Sequence, residues 1–156
     1  MNTLIILGAK YLILVSIIAF LYQFYILDTN KRRKMLWFGI LILPISYILA
    51  KLGSYFYFDP RPFVTLGIAP LIPHVADNGF PSDHMLLASS LAGVVYLLNK
   101  KRGILLFFVA LLIGFARVFA LVRHIKDILG SLLIVIFVSF VVQFVMNKRG
   151  SETYNV

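Results

Sequence analysis

Five apolar stretches, each close to the length that crosses a bilayer, constrain this chain more than any other feature. They cover roughly residues 4–27, 35–58, 83–98, 104–122 and 125–146. The hydrocarbon core of a bilayer needs about 20 apolar residues of helix, and a spanning helix pairs its backbone polar groups internally. The third stretch is short, and we expect its polar ends to extend it. The sequence therefore predicts an all-α integral membrane protein, a bundle of about five transmembrane helices.

Composition supports the same class of protein. Hydrophobic residues make up 61% of the chain and charged residues 13%, which leaves too few polar side chains to cover a water-soluble globule. Neither a repeat nor a flexible linker interrupts the pattern, so we expect one membrane-embedded domain over residues 1–156. Cysteine is absent, which excludes a disulfide framework and a thiolate nucleophile or metal site.

Lysine and arginine are concentrated in short connections beside the apolar stretches. The net charge is +9, and the basic connections are 28–34, 99–103 and 147–150. This placement indicates contact with anionic lipid headgroups rather than nucleic acid. The positive-inside rule makes all three connections cytoplasmic, so the N-terminus is expected outside the cell membrane and the C-terminus inside. The loop 59–82 and the junction 116–127 then lie at the extracytoplasmic face.

Charged and titratable side chains gather at that outer face. They comprise three arginines and all three histidines, namely Arg61, Arg117, Arg123, His74, His84 and His124. Charge at membrane depth is costly and is kept where it faces a partner or a water-filled site. Guanidinium groups suit phosphate oxygens, while histidines and a carboxylate supply acid, base and nucleophile chemistry. The residues thus predict an enzyme that acts on a phosphate ester or anhydride, with its active site at the extracytoplasmic face.

Three stretches of the chain carry a resemblance to a known family. In chain order they are "RPF" at 61–63, "GFPSDH" at 79–84, and "AR" at 116–117 followed by His124 and Asp127. Together they resemble the three ordered motifs of the type 2 phosphatidic acid phosphatase superfamily, and the resemblance covers about residues 51–130. The longer stretch "HVADNGFPSDH" is especially similar to the bacterial undecaprenyl-diphosphatase branch.

The resemblance implies a role for each matching residue. His124 would attack phosphorus to form a phosphohistidine, Asp127 would orient its imidazole, and His84 would protonate the leaving oxygen. The phosphoryl oxygens would be held by Arg61, Ser82, Arg117 and the backbone around Asp83. The family needs neither a metal nor another cofactor. Its expected partners here are membrane lipids and a lipid phosphate substrate. Undecaprenyl diphosphate is the first choice, and phosphatidylglycerophosphate and lipid A phosphate are the alternatives.

The third motif departs from the family pattern in two ways. Ala116 replaces the family serine. In addition, His124 lies one residue beyond the family position, which Arg123 occupies. Asp127 keeps its family distance from Arg117, and residues three apart share a helix face, so we expect Asp127 to contact the His124 ring. Arg123 is either a further phosphate or headgroup contact or a snorkelling anchor.

The first motif departs in its lysine. Nine residues separate Lys51 from "RP" where the family has six, and Ser54 occupies the family lysine position. Lys51 is therefore either a phosphate ligand that reaches the site through its long side chain or an internal structural charge. Either role is compatible with the sequence.

Other classes of protein remain open. A small transporter or anion channel would also carry arginine and histidine in its spans, although polar residues would then follow several helices. A metal site could form from His74, His84 and His124, completed by Asp59 or Asp127, because imidazole suits zinc. Activity that survives chelation would exclude the metal site. The sequence leaves the oligomeric state open.

Overall fold

The fold is a bundle of helices in the computed structural model, which describes residues 2–152. Over that range the chain forms six helices and no strand. They are α1 (Asn2–Ile26), α2 (Thr29–Phe56), α3 (Pro62–Leu66), α4 (Asp83–Leu98), α5 (Lys100–Phe119) and α6 (Ile125–Glu152). Within the described chain, α1, α2, α5 and the part of α6 up to Lys148 are long and apolar enough to cross a membrane, whereas α4 is a shorter apolar helix. The prediction of an all-α membrane protein is confirmed.

Short polar residues set where three of these helices begin. The side chain of Asp28 accepts a hydrogen bond from Lys31 N at the start of α2, and that of Asn99 accepts from Arg102 N at the start of α5. Ser82 has the same position before α4. Side-chain oxygens at such positions satisfy backbone N–H groups that lack a partner within the helix. Because Asn99 caps α5, this helix begins at Lys100, before the predicted start of the fourth span.

Helix α4 is the centre of the bundle. It contacts α1, α2, α5 and α6, and from Met85 to Val95 every residue except Leu87 is buried. Alanine, serine and glycine within this stretch let neighbouring backbones approach closely, as in other membrane bundles. By contrast, α1 buries only Ala9, Ser16 and Gln23, and many of its large apolar side chains are exposed. The short helix is thus the enclosed one, and the residues just before it lie against the ends of its neighbours.

The junction between α5 and α6 is a turn rather than continuous helix. Leu121 adopts a left-handed conformation with φ 62°, and α5 ends at Phe119. The fourth span therefore ends before the predicted residue 122. Leu121 O and Ala120 O accept hydrogen bonds from Phe63 N and Leu71 N. These bonds bring the connection from α2 to α4 over the end of the bundle, where α5 ends and α4 and α6 begin.

Candidate active site

The residues of the three sequence motifs meet at this end of the bundle. Each comes from the end of a different element: Arg61 immediately precedes α3, Ser82 caps the start of α4, Arg117 is in the last turn of α5 and Asp127 is in the first turn of α6. Helix ends carry backbone groups without partners inside the helix. A polar site therefore forms here with little interruption of the apolar core.

Three buried arginines, Arg61, Arg117 and Arg123, form what we call the arginine cluster. Their exposed fractions are 4%, 2% and 2%. Each guanidinium group contacts one side chain of the segment 74–83, in the pairs Arg61 Nε with Asp77 Oδ1 at 2.6 Å, Arg117 Nη2 with His74 Nε2 at 3.0 Å, and Arg123 Nη2 with Asp83 Oδ2 at 3.0 Å. One segment of chain therefore faces all three cations.

Backbone carbonyl groups also fix the arginine side chains. Arg61 Nη1 donates to Val122 O at 2.9 Å, and Arg117 Nη1 donates to Ala9 O at 3.2 Å. Arg123 Nη1 donates to the carbonyl oxygens of Gly79 and Pro81. The Nε atoms of Arg117 and Arg123 are buried and have no hydrogen-bond partner in the described part of the chain. The cluster is thus held in place while keeping unused donors, an arrangement that suits an anion.

Arg123 and Asp77 show how burial and charge act in the cluster. A snorkelling side chain keeps its charged end in the interface, whereas Arg123 is buried against backbone carbonyls, so the interpretation of Arg123 as an anchor is wrong.

Burial alone would raise the pKa of the Asp77 carboxyl, but the hydrogen bond and the charge of Arg61 outweigh burial and lower it. Asp77 is therefore an ionised partner of Arg61 at neutral pH.

A second group of charged side chains centres on Asp59, and we call it the Asp59 network. His124 Nδ1 lies 2.8 Å from Asp59 Oδ2, and Lys126 Nζ lies 2.8 Å from Asp59 Oδ1. Lys126 also donates to the hydroxyl of Tyr57. Burial raises the pKa of Asp59, but the contacts with Lys126 and His124 outweigh it and lower the pKa. Asp59 is thus a buried carboxylate that orients the His124 ring.

The predicted contact between Asp127 and the His124 ring is wrong. Asp127 Oδ2 instead accepts a hydrogen bond from the backbone N of His124 at 2.7 Å. The physical reason is that α6 begins only at Ile125, so His124 precedes the helix and its N–H is one of the groups that a nearby acidic side chain can cap. Asp59 takes the orienting role that the sequence assigned to Asp127.

The remaining predicted ligands lie around the arginine cluster. Ser82 is fully buried, and its hydroxyl accepts from Met85 N at 3.5 Å. His84 is half-buried and lies close enough to Arg117 and Arg123 to interact with their charges. Lys51 is exposed, with Nζ 5.1 Å from the centre of the Tyr47 ring. A cavity of about 190 Å³ has Lys51 in its wall together with Arg61, Asp77 and Asp83. Phosphate binding by these residues stays a prediction.

Asn78 is a structural residue of the site that sequence reasoning missed. Its Nδ2 donates to Ser54 O at 3.0 Å and to Tyr57 O at 2.9 Å. Its Oδ1 accepts from Asp59 N at 2.9 Å and from Phe80 N at 3.0 Å. One amide thus joins the segment 74–83 to the end of α2. The Asn-Gly pair at 78–79 indicates a turn, but not these partners.

The structure does not form the three-histidine metal site. His74 contacts Arg117 while His124 contacts Asp59. Among the described residues, the group with ligand atoms within 4.8 Å of one another is Asp59, His124 and Asp127. The ammonium group of Lys126 lies 2.8 Å from Asp59 Oδ1. The chain itself therefore already supplies a positive charge beside these three side chains.

A helical membrane bundle with this arginine cluster and a histidine oriented by a carboxylate has the features of a membrane protein that acts on phosphate groups. The sequence pattern that defines the PAP2 superfamily matches residues 35–151. The chain belongs to the PAP2 superfamily, as the three motifs predicted.

Two curated relatives extend this finding. Undecaprenyl-diphosphatase BcrC of Bacillus subtilis (strain 168) is 37% identical over 116 residues, which cover 72% of this chain and 58% of the relative. Bacitracin transport permease protein BcrC of Bacillus licheniformis is 32% identical over 149 residues, which cover 86% of this chain and 73% of the relative. The chain thus spans less than two thirds of the length of the first relative.

One solved structure is similar in fold. The crystal structure of Aquifex aeolicus LpxE matches with a TM-score of 0.65 and 25% sequence identity, over 88% of this chain and 79% of that chain. The helical bundle described here is therefore an architecture that also occurs in a crystal structure.

Proposed function

We propose that this protein is a membrane lipid phosphatase that removes the terminal phosphate of undecaprenyl diphosphate, giving undecaprenyl phosphate and inorganic phosphate. The observation that carries the proposal is the convergence of three buried guanidinium groups beside histidines and carboxylates. The similarity to undecaprenyl-diphosphatase BcrC supports the choice of substrate. Phosphatidylglycerophosphate and lipid A phosphate are the alternative substrates within the same chemistry.

Substrate binding would begin at the arginine cluster. Asp77 and Asp83 place carboxylate oxygens on Arg61 and Arg123, and phosphoryl oxygens would use the same guanidinium donors. The free backbone N–H groups at the start of α4, beside Ser82, add a site that favours an anion. Lys51, at the wall of the adjoining cavity, would reach the outer phosphate. Such fixed donors stabilise the charge that develops on the transferring group.

The chemical step would use His124 as the nucleophile. Because a carboxylate only accepts, Nδ1 of His124 donates to Asp59 and leaves a lone pair on Nε2. Nε2 would attack the terminal phosphorus, and the bond from phosphorus to the bridging oxygen would break, with its electron pair leaving on the lipid phosphate. His84 would supply a proton to that oxygen, and water would then release inorganic phosphate from the phosphohistidine.

Three features of the structure support this assignment. Arg123 and His124 line one open cavity together with Lys126, so the nucleophile and a cationic side chain border the same space. Asp59 would also stabilise the imidazolium that forms on phosphorylation, as a buried carboxylate does in other histidine dyads. Asp127 would hold the backbone of His124 in register through its hydrogen bond.

The test is an assay of the purified protein against the three lipids, with and without a chelator. We expect phosphate release to be fastest from undecaprenyl diphosphate and to continue in EDTA, because the arginine cluster and Lys126 supply the positive charge. Arg102→Ala, at the opposite end of the bundle, is the control and should match the wild type. Faster release from another lipid would move the proposal to that lipid, and no release from any of them would reject it.

We also propose that residues 1–156 act as a single domain in the cell membrane, with the N-terminus outside, the C-terminus in the cytoplasm and the active site extracytoplasmic. The chain has no cysteine, so single cysteines can report on topology. Val75→Cys, at a side chain that is 74% exposed, should react with an impermeant thiol reagent in intact cells, and Lys101→Cys should not. The reverse labelling pattern would overturn the orientation.

A further inference from the structure

His74 lies outside the three family motifs, yet its ring contacts the arginine cluster. Nδ1 lies 3.0 Å from Pro73 O, and Nε2 lies 3.0 Å from Arg117 Nη2. A carbonyl oxygen can only accept and a guanidinium group can only donate. The two contacts together therefore fix the proton on Nδ1 and a lone pair on Nε2. His74 is therefore neutral in this arrangement, and its Nε2 lone pair accepts from Arg117, one of the guanidinium groups of the arginine cluster.

The surroundings of His74 explain why it is neutral. Burial, and then the charges of Arg61 and Arg117, lower the pKa of the His74 ring, and Arg123 adds to the effect. His84, at the start of α4, is a second titratable group that interacts with His74. The nearby carboxylates of Asp77 and Asp83 are paired with arginines. A proton on Nε2 would face a guanidinium group at close range, so the charges of the arginine cluster disfavour it.

An anion in the arginine cluster would instead favour protonation of His74. Its negative charge offsets the three guanidinium charges, and an oxygen near Arg117 Nη2 is also near His74 Nε2, because these two nitrogens are 3.0 Å apart. The oxygen can then accept from both nitrogens once His74 is protonated. Hydrogen bonds of this kind, between two charged groups, are stronger than neutral ones.

We propose that His74 is an additional ligand of the phosphoryl anion, which takes up a proton from solvent as the anion binds and then donates from Nε2 to an anion oxygen shared with Arg117. The inference rests on the proposed function only in placing the phosphoryl group at the arginine cluster. It adds a titratable ligand to a site whose other cationic ligands have a fixed charge. Anion binding should therefore strengthen as the pH falls through the neutral range.

Sulfate is the appropriate probe, since it is tetrahedral and stays a dianion throughout that range. Its dissociation constant would be measured on the purified full chain between pH 6 and pH 8. We expect wild-type affinity to fall as the pH rises, by at most about tenfold per pH unit for one linked proton. His74→Gln keeps a neutral acceptor for Arg117 but cannot take up a proton, so its affinity should be weaker at low pH and change less with pH.

A matched control separates this effect from general charge. Lys101→Gln makes the same substitution at an exposed basic residue of the opposite end and should show the wild-type pH dependence. His84 is present in both wild type and His74→Gln, so the difference between their pH dependences reports on the loss of the His74 imidazole. Equal pH slopes in wild type and His74→Gln would overturn the inference.

A second measurement needs no variant. Calorimetry of sulfate binding at pH 7, in two buffers that differ in ionisation enthalpy, counts the protons taken up by the wild type. We expect a net uptake, and zero uptake would overturn the inference even if His74→Gln failed to fold.

The two proposals can fail separately. Protein that binds sulfate with His74-dependent proton uptake but hydrolyses no lipid phosphate would reject the phosphatase and leave this inference in place. Protein that hydrolyses undecaprenyl diphosphate with the same pH dependence of binding in wild type and His74→Gln would do the opposite.

Discussion

Both ends of the bundle carry basic residues, but these residues are buried and paired at one end and exposed at the other. At the end where α4 begins, Arg61, Arg117 and Arg123 are buried and each has a side-chain partner. At the other end, Lys31, Lys100 and Lys101 are exposed. There the ion pair between Lys31 and Asp28 leaves more than half of each side chain exposed.

The difference in burial distinguishes a ligand site from residues that only contact lipid headgroups or water. An exposed ion pair contributes little to stability, commonly less than about 1 kcal/mol, so basic residues at the second end need only reach lipid headgroups or water. A buried charge without a partner is costly, so the first end must supply a carboxylate, imidazole or carbonyl for every cation. Groups assembled in this way are already placed for a ligand that brings its own negative charge.

The largest expected effect comes from removing a cation of the arginine cluster. Arg117→Ala should lower kcat/KM for lipid diphosphate by on the order of 100-fold or more, because a fixed donor to the transferring phosphoryl group is lost. Lys101→Ala, at the other end, should stay near the wild-type value. Steady-state phosphate release measures both, and equal losses in the two variants would remove the distinction between the two ends.

Asp59→Asn tests the orienting carboxylate. The amide can still contact His124 but cannot stabilise its imidazolium, so we expect kcat to fall by roughly 10-fold or more while substrate binding changes less. The separation of kcat from KM is the measurement that matters. A variant with raised KM and unchanged kcat would assign Asp59 to binding instead.

A smaller effect is expected from the asparagines at the two ends. Asn78→Ala removes hydrogen bonds to four neighbouring residues and should destabilise the protein by about 1–3 kcal/mol and also slow the reaction. Asn99→Ala removes only the cap of α5, at about 1 kcal/mol, and should leave turnover unchanged. Thermal unfolding and activity assays compare them. Loss of turnover in Asn99→Ala alone would contradict the account.

The length and hydropathy of the apolar stretches were sufficient to predict the class of fold, because a bilayer allows few alternatives. The ordered motifs predicted the family correctly, and the pattern of charged residues predicted that Arg61, Arg117 and Arg123 would come together. The contacts inside the site were harder to predict. Asp59 and Asn78 lie in the connection to α4, where hydrogen bonds depend on how the chain crosses the bundle end rather than on residue spacing.

The displacement of His124 by one residue from the family position, which Arg123 occupies, shows most clearly what residue spacing could not predict. Treating 124–127 as helix predicted that Asp127 would contact the His124 ring, but α6 begins at Ile125. In a turn, adjacent side chains can point in different directions, and here Arg123 joins the arginine cluster while the His124 ring pairs with Asp59. A displacement of one residue in the sequence therefore changes the partner of each side chain.

The most direct test of the central claim, that the end holding the arginine cluster transfers a phosphoryl group through His124, is to trap the intermediate. Wild-type protein would be mixed with undecaprenyl diphosphate radiolabelled in its terminal phosphate, quenched under alkaline conditions that preserve phosphohistidine, and mapped by peptide analysis. The account predicts label on His124 and none in His124→Ala. Label that persists in His124→Ala, or that maps to His74 or His84, would contradict it.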